Sequence, residues 1–272
     1  MTPDQTLGGR ISVNDVTLRL GEGAAAFDAI LGVDLEIAAG DFVCLLGPSG
    51  CGKSTLLGAL AGHLQPTQGE IRLDGVLIDG PHPDRGLVFQ QHTLFPWLTL
   101  LDNVAFGLKM QGRSKVERRR EAQAMLDLVG LGEFAAFHPA ELSGGMQQRV
   151  EIGRVLINHP RVLLMDEPFG ALDAQTRAQM QRQLLDTWGQ VRTTVLFITH
   201  DIDEALFLGD RVLVMSARPG RIVADLRLDF ARPRTADLLT DPNFAVAKRQ
   251  CLELLADSRA EPLRRLTPLG AP

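Results

Sequence analysis

Four groups of residues have the types and spacing that a chemical site needs. The first is Gly47-Pro48-Ser49-Gly50-Cys51-Gly52-Lys53-Ser54-Thr55, set between the apolar run 42–46 and a helical run at 56–61. Strand, glycine loop and helix is the context of a phosphate-binding loop. Glycines let backbone amides turn in on an anion, and the helix start adds partial positive charge. Lys53 then reaches the β- and γ-phosphates of a nucleotide, and the Ser54 hydroxyl ligates the Mg²⁺ that bridges them. The second group, Asp166-Glu167, follows the apolar run 162–165. Carboxylates at the end of a parallel strand stand where α/β sheets bind ligands. Asp166 is expected to hold the Mg²⁺ through its water shell, and Glu167 to polarise a water toward the γ-phosphate. The third group is Leu142-Ser143-Gly144-Gly145-Met146-Gln147-Gln148-Arg149. Ser143 reads as an N-cap and two glycines leave amides exposed at a helix start, so the stretch is either a second anion site or simply a capped helix. The fourth is His200, between Phe197-Ile198-Thr199 and Asp201. In isolation such a histidine is an ordinary loop residue, and only its place after a strand marks it.

A scaffold of strands and helices must hold these groups. Residues 11–20 and 33–37 alternate as half-buried strands do. Asp74-Gly75 between 69–73 and 76–78 is a hairpin signal. The runs 162–165 and 194–198 are almost wholly apolar, as central parallel strands covered on both faces are. Short strands are expected at 86–89, 211–215 and 222–228. Helices are expected from Lys53 to Gly62, at about 173–189, 201–208 and 243–257. From Leu100 to Gly130 the periodicity is helical, and Ser114 with Glu117 reads as a capping box. Glu117-Arg118-Arg119-Arg120-Glu121 reads as a solvated helix face in preference to a phosphate site.

Composition narrows the classes. The chain has 272 residues, 45% hydrophobic and 22% charged, as soluble globular proteins do. A net charge of −5 argues against nucleic acid as the main partner. No apolar run approaches the roughly 20 residues that span a bilayer. The stretch Met1–Arg10 lacks the form of a signal peptide. Cys44, Cys51 and Cys251 show no metal or disulfide spacing, which fits a reducing compartment. Cys51 sits among loop amides, a setting that lowers a thiol pKa, so its alkylation is expected to inhibit.

Taken in order and spacing, the phosphate loop, Gln90, Leu142–Arg149, Val162–Pro168, Ala171-Leu172-Asp173 and His200 resemble the ATP-binding cassette ATPases over about residues 10–230. The Ser-Gly-Gly-x-Gln-Gln-Arg stretch is the most specific part. The resemblance implies an α/β P-loop NTPase of that type: a RecA-like core, an N-terminal antiparallel β subdomain, and an α-helical signature subdomain at about 92–158. A C-terminal tail, 231–272, with one helix follows. It implies ATP and Mg²⁺ as ligands, and a head-to-tail dimer with a second copy. In that dimer Ser143, Gly144 and Gly145 clasp the γ-phosphate across the interface. Gln90 senses Mg²⁺ and the attacking water, Asp173 links the two sites, and His200 bonds the γ-phosphate and the water.

A finer resemblance rests on Gly80–Gln90, Phe95-Pro96-Trp97, Asp102-Asn103-Val104, Asp166–Asp173 and Leu228–Arg232. These look like the nitrate, sulfonate and taurine importers. That implies hydrolysis coupled to uptake of a small anionic solute. The chain would sit peripherally on the cytoplasmic face of the inner membrane, with permease subunits and, indirectly, an extracytoplasmic solute-binding protein as partners. Leu94, Phe95, Trp97 and Leu98 then either meet the membrane subunits or fill the cassette's own core. A soluble cassette ATPase acting on nucleic acid or ribosomes, and a small-molecule kinase, are the rivals. The first lacks its coiled coil or second cassette here, and the second leaves Leu142–Arg149 unexplained. The family's adenine-stacking aromatic has Leu20 in its place, the chain has no tyrosine, and Phe27, beyond the turn, is expected to lie too far along to substitute, so that Phe27→Ala should change ATP binding little.

Overall fold

The structure is a computed structural model, and it describes residues 8–91 and 93–257. Most of the Met1–Arg10 stretch and the end of the tail, 258–272, lie outside the described residues. In chain order the main elements begin with β1 (Ile11–Leu20), β2 (Phe27–Ile37), β3 (Phe42–Leu46), α1 (Lys53–Ala61), β4 (Gln68–Leu73), β5 (Val76–Leu77) and β6 (Arg85–Val88). The helices α2 (Leu100–Val104), α3 (Phe106–Met110), α4 (Lys115–Leu128) and α5 (Gly144–Leu156) follow, then β7 (Val162–Asp166) and α6 (Ala174–Val191). Last come β8 (Thr194–Ile198), α7 (Ile202–Leu208), β9 (Arg211–Met215), β10 (Ile222–Arg227) and α8 (Pro242–Ala256). The described residues form two compact units, 8–82 with 194–257, and 83–193.

The first unit holds two sheets. One is antiparallel in the order β2-β1-β4-β5. Its buried face carries Ile11, Val13, Val16 and Leu18 of β1. The hairpin forms as expected, with Asp74 at φ 51° and Gly75 at φ 81°, the left-handed pair that a two-residue turn demands. The strand expected at 33–37 starts six residues earlier, at Phe27. Gly32 at φ 57° and register shifts against β1 break its alternation midway, so pattern alone finds only the second half. In the other sheet β3 lies between parallel β8 and β9, and β10 runs antiparallel on β9. Every residue of β3, β8 and β9 is buried. Each large apolar side chain there contributes about 1.5–3 kcal/mol by leaving water.

The second unit pairs β6 with β7 in parallel and surrounds them in sequence with helices α2 to α6. The stretch 100–130, expected to be helical, holds three helices, α2 to α4. Thr99 caps α2, and the Ser114–Glu117 capping box opens α4. In the basic run of α4, Glu117 and Arg120 are exposed and Arg118, Arg119 and Glu121 are half-buried.

Candidate functional site

The phosphate loop turns out of β3 because glycine stands where no side chain fits. A Cβ on Gly47 would lie 2.9 Å from Cys51 Sγ and 3.1 Å from Met215 Cβ. Gly52, at φ 103°, would put one 2.7 Å from Ile30 Cδ1 and 2.8 Å from the Ala29 carbonyl. Gly50, at φ 75°, completes the turn. The loop closes on its own lysine: Lys53 Nζ donates to the carbonyls of Gly47 at 2.8 Å and Pro48 at 3.0 Å. An ammonium carries three donors, so one is committed to neither carbonyl. Ser49 and Ser54 are exposed, and Pro48 and Thr55 half-buried. Cys51 departs from expectation. It is buried, and burial pushes its thiol up, outweighing the nearby Lys53 charge and the loop hydrogen bonds that pull it down.

His200 stands at the same edge of the same sheet. Leu45 pairs with Ile198 in the parallel β3–β8 ladder, and the Thr199 amide donates to the Leu45 carbonyl. His200 is the next residue and is exposed. Asp201 then caps α7 by accepting from the Glu204 amide at 3.1 Å.

A third contact at the loop had no signal in the sequence. Arg218 Nη2 donates to the Gly50 carbonyl at 3.2 Å, and its guanidinium lies 4.5 Å from the centroid of the Phe27 ring. Phe27 is not remote from Leu20 but directly across from it, as the end pair of β1 and β2. The half-open aromatic face beside the phosphate loop is therefore that of Phe27, 38% exposed.

In the second unit, β6 and β7 bring another pair of groups together. Val88 pairs with Met165, so Gln90 and Glu167 each stand two residues past matched positions at one sheet edge. Asp166 ends β7, half-buried. Glu167 has φ 45°, a left-handed conformation that costs a residue with a side chain about 1–3 kcal/mol. The Gly170 amide donates to the Glu167 carbonyl, closing the turn at 3.1 Å. A Cβ on Gly170 would lie 3.7 Å from Gln90 Nε2 and 3.9 Å from Glu167 Cβ, so both candidate side chains border one small space.

Ser143 caps α5, accepting from the Met146 amide at 3.3 Å. Gly144 is exposed, while Gly145 is buried because a Cβ there would meet Thr176 Cγ2 at 2.8 Å. Asp173 caps α6, accepting from the amides of Gln175 and Thr176, both at 3.0 Å. The hydrogen bonds from Thr176 hold its carboxyl below the usual range. The capped starts of α5 and α6 thus meet at Gly145 and Thr176.

The segment after Gln90 is buried at one position and exposed at another. Leu94 is buried, whereas Trp97 is 72% exposed. Phe95 lines a groove of about 650 Å³ with Pro83, Leu87, Phe106, Met110 and Arg154. Helix α5 holds this segment: Glu151 accepts from the Thr93 amide and hydroxyl, and Arg154 donates to the Thr93 carbonyl at 2.9 Å. The guanidinium of Arg154 also lies 5.2 Å from the Phe95 ring centroid. Nothing in the spacing of Thr93, Glu151 and Arg154 announces this cluster. Among the described residues no helix is long and apolar enough to cross a membrane.

Residues 30–170 match the ABC transporter family. The taurine import ATP-binding protein TauB of Rhizobium johnstonii is 52% identical over 228 residues, 82% of this chain and 87% of that one. The nitrate import ATP-binding protein NrtD of Synechocystis sp. is 47% identical over 239 residues, 86% of this chain and 90% of that one. Among solved structures, the dimeric post-hydrolysis state of the ATP-binding cassette MJ0796 with ADP and Pi superposes with a TM-score of 0.70 at 34% identity. It covers 81% of this chain and 100% of that one. A glycine-dependent phosphate loop, a capped Ser-Gly-Gly helix and these relatives lead to one assignment: the chain belongs to the ABC transporter family, with the α/β fold of its ATP-binding cassettes.

Proposed function

We propose that this chain is the ATP-hydrolysing subunit of an importer for a small anion of the nitrate, taurine or alkanesulfonate kind. The observation that carries the reading is the phosphate loop, in which three glycines and a folded-back Lys53 form an anion cradle. The relatives named for nitrate and taurine import support the solute class. The loop amides of 47–55 and Lys53 take the charge of the phosphates. Ser54, Asp166 and Gln90 offer hard oxygen donors of the kind Mg²⁺ prefers. Bound there, Mg²⁺ would neutralise phosphate charge. Glu167 orients the attacking water, and His200 hydrogen-bonds the γ-phosphate and that water. Phe27, with its exposed ring beside the loop, takes the adenine in place of Leu20.

The cassette is assigned to 10–230, with the helical subdomain at about 92–158 and a tail from 231. A second copy supplies Ser143, Gly144 and Gly145 to the γ-phosphate, and Asp173 couples the paired sites. The dimeric state of the neighbour MJ0796 supports this pairing. The groove beside Phe95, with exposed Trp97 at its edge in the chain, is assigned to the permease, which tethers the chain to the cytoplasmic face of the inner membrane. The net charge of −5 speaks against nucleic acid as a partner. Gel filtration of Glu167→Gln tests the reading. It is expected to run as a dimer with Mg-ATP and a monomer without, and a monomer in both conditions would contradict the paired mechanism.

A further inference from the structure

The segment after β10 has no role in the reading above, yet it grips one helix at both ends. That helix is α7, which begins two residues after His200. At its C-terminal end the last carbonyls lack helical partners. Arg234 supplies them: Nη1 donates to the carbonyls of Gly209 at 2.7 Å, Phe207 at 2.9 Å and Leu206 at 3.4 Å. Arg232 adds a bond to the Leu208 carbonyl at 2.7 Å. Both guanidinium groups share the single carboxylate of Asp210, at 2.8 Å and 3.2 Å. The Arg234 side chain is 1% exposed and its Nε makes no hydrogen bond among the described residues. A buried cation of this kind is costly, and its most evident product here is a fixed helix end.

The other end of α7 is held by α8. Lys248 pairs with Asp203 at 2.7 Å, three residues past His200. Phe244, Ala247 and Cys251 form the buried face of α8, and the Phe230 and Phe244 rings meet at a tilt with centroids 5.9 Å apart. Helix α7 has only seven residues, so a shift at either end is felt at its start.

We infer that Arg234 and Lys248 are positioning residues for His200: the segment 232–256 clamps α7 at both ends and so sets where the residue before it stands. The inference rests on His200 acting at the γ-phosphate. Lys248→Met breaks the half-exposed ion pair without opening the core, and Arg234→Lys keeps the charge but loses the fork. Each is made in the full-length chain, alone and with His200→Ala, and ATPase kcat, KM and Tm are measured. Expected are kcat losses of about 2- to 5-fold for Lys248→Met and about 10-fold for Arg234→Lys, with KM held within about 2-fold. In the His200→Ala background neither change should lower kcat further. Equal losses in both backgrounds, or full kcat in folded Lys248→Met, would overturn the clamp alone. Full kcat in His200→Ala would overturn the catalytic reading of His200 and the clamp with it. Should Arg234→Lys fail to fold, Lys248→Met decides the matter.

Discussion

The phosphate loop and the turn after β7 are both strand-end loops with candidate chemistry, yet they are built in opposite ways. In the loop, every left-handed position is glycine, and the charged group, Lys53, is tied down by two carbonyls. In the turn, the left-handed position is the candidate catalytic residue itself, Glu167 at φ 45°. Glycine there would be easier for the backbone but would carry no carboxylate. The difference fits the two proposed roles: holding an anion needs unstrained amides, whereas aiming a carboxylate at a water tolerates stored strain.

Substitutions sharpen that contrast. Glu167→Gln keeps the backbone strain and the side-chain shape but removes the proposed base. Turnover should fall about 10²- to 10⁴-fold by phosphate release, with ATP affinity unchanged by calorimetry. Lys53→Ala should do the reverse in kind, losing a charged contact worth about 1.5–3 kcal/mol, or roughly 10- to 100-fold in affinity. If calorimetry showed unchanged affinity, the loop would not be the anion cradle. Glu167→Gly isolates the strain: it should raise the unfolding free energy by about 1 kcal/mol while abolishing turnover. A destabilised Glu167→Gly protein would show that the left-handed turn carries no strain.

Two smaller effects concern the rim of the loop. Phe27→Ala should weaken ATP by about 0.5–1.5 kcal/mol and leave the phosphate contacts intact, whereas Leu20→Ala should do less. The opposite order would return the base to Leu20. The mildest expectation is for Cys51. Because burial raises its thiol pKa, it stays protonated at neutral pH, and the thiolate fraction rises only as the pH climbs toward that raised value. Its alkylation should therefore be slow with or without nucleotide, and fast ATP-protected labelling at pH 7 would contradict its burial.

Much of the site was legible because it is local. The loop, the Ser143 cap, the Ser114–Glu117 box and the Asp74-Gly75 hairpin each depend on residues within a few positions, where backbone conformation and hydrogen bonding are set by residue type. The first half of β2 was lost because Gly32 interrupts its alternation. The low thiol pKa expected for Cys51 failed because composition names its charged neighbours but not its burial.

By itself the sequence determined the order of strands and helices, the phosphate loop, the caps and the family, since these rest on short-range spacing and on residue types that few backbones accept. Only the tertiary structure decided that Phe27 faces Leu20, that Arg218 reaches the Gly50 carbonyl and that Glu151 and Arg154 hold Thr93. It alone placed Arg234 against the end of the helix that follows His200. Those contacts join residues 7 to 168 positions apart. They depend on strand register and helix packing, which are set by burial of the core as a whole and leave no periodic mark at the residues that meet.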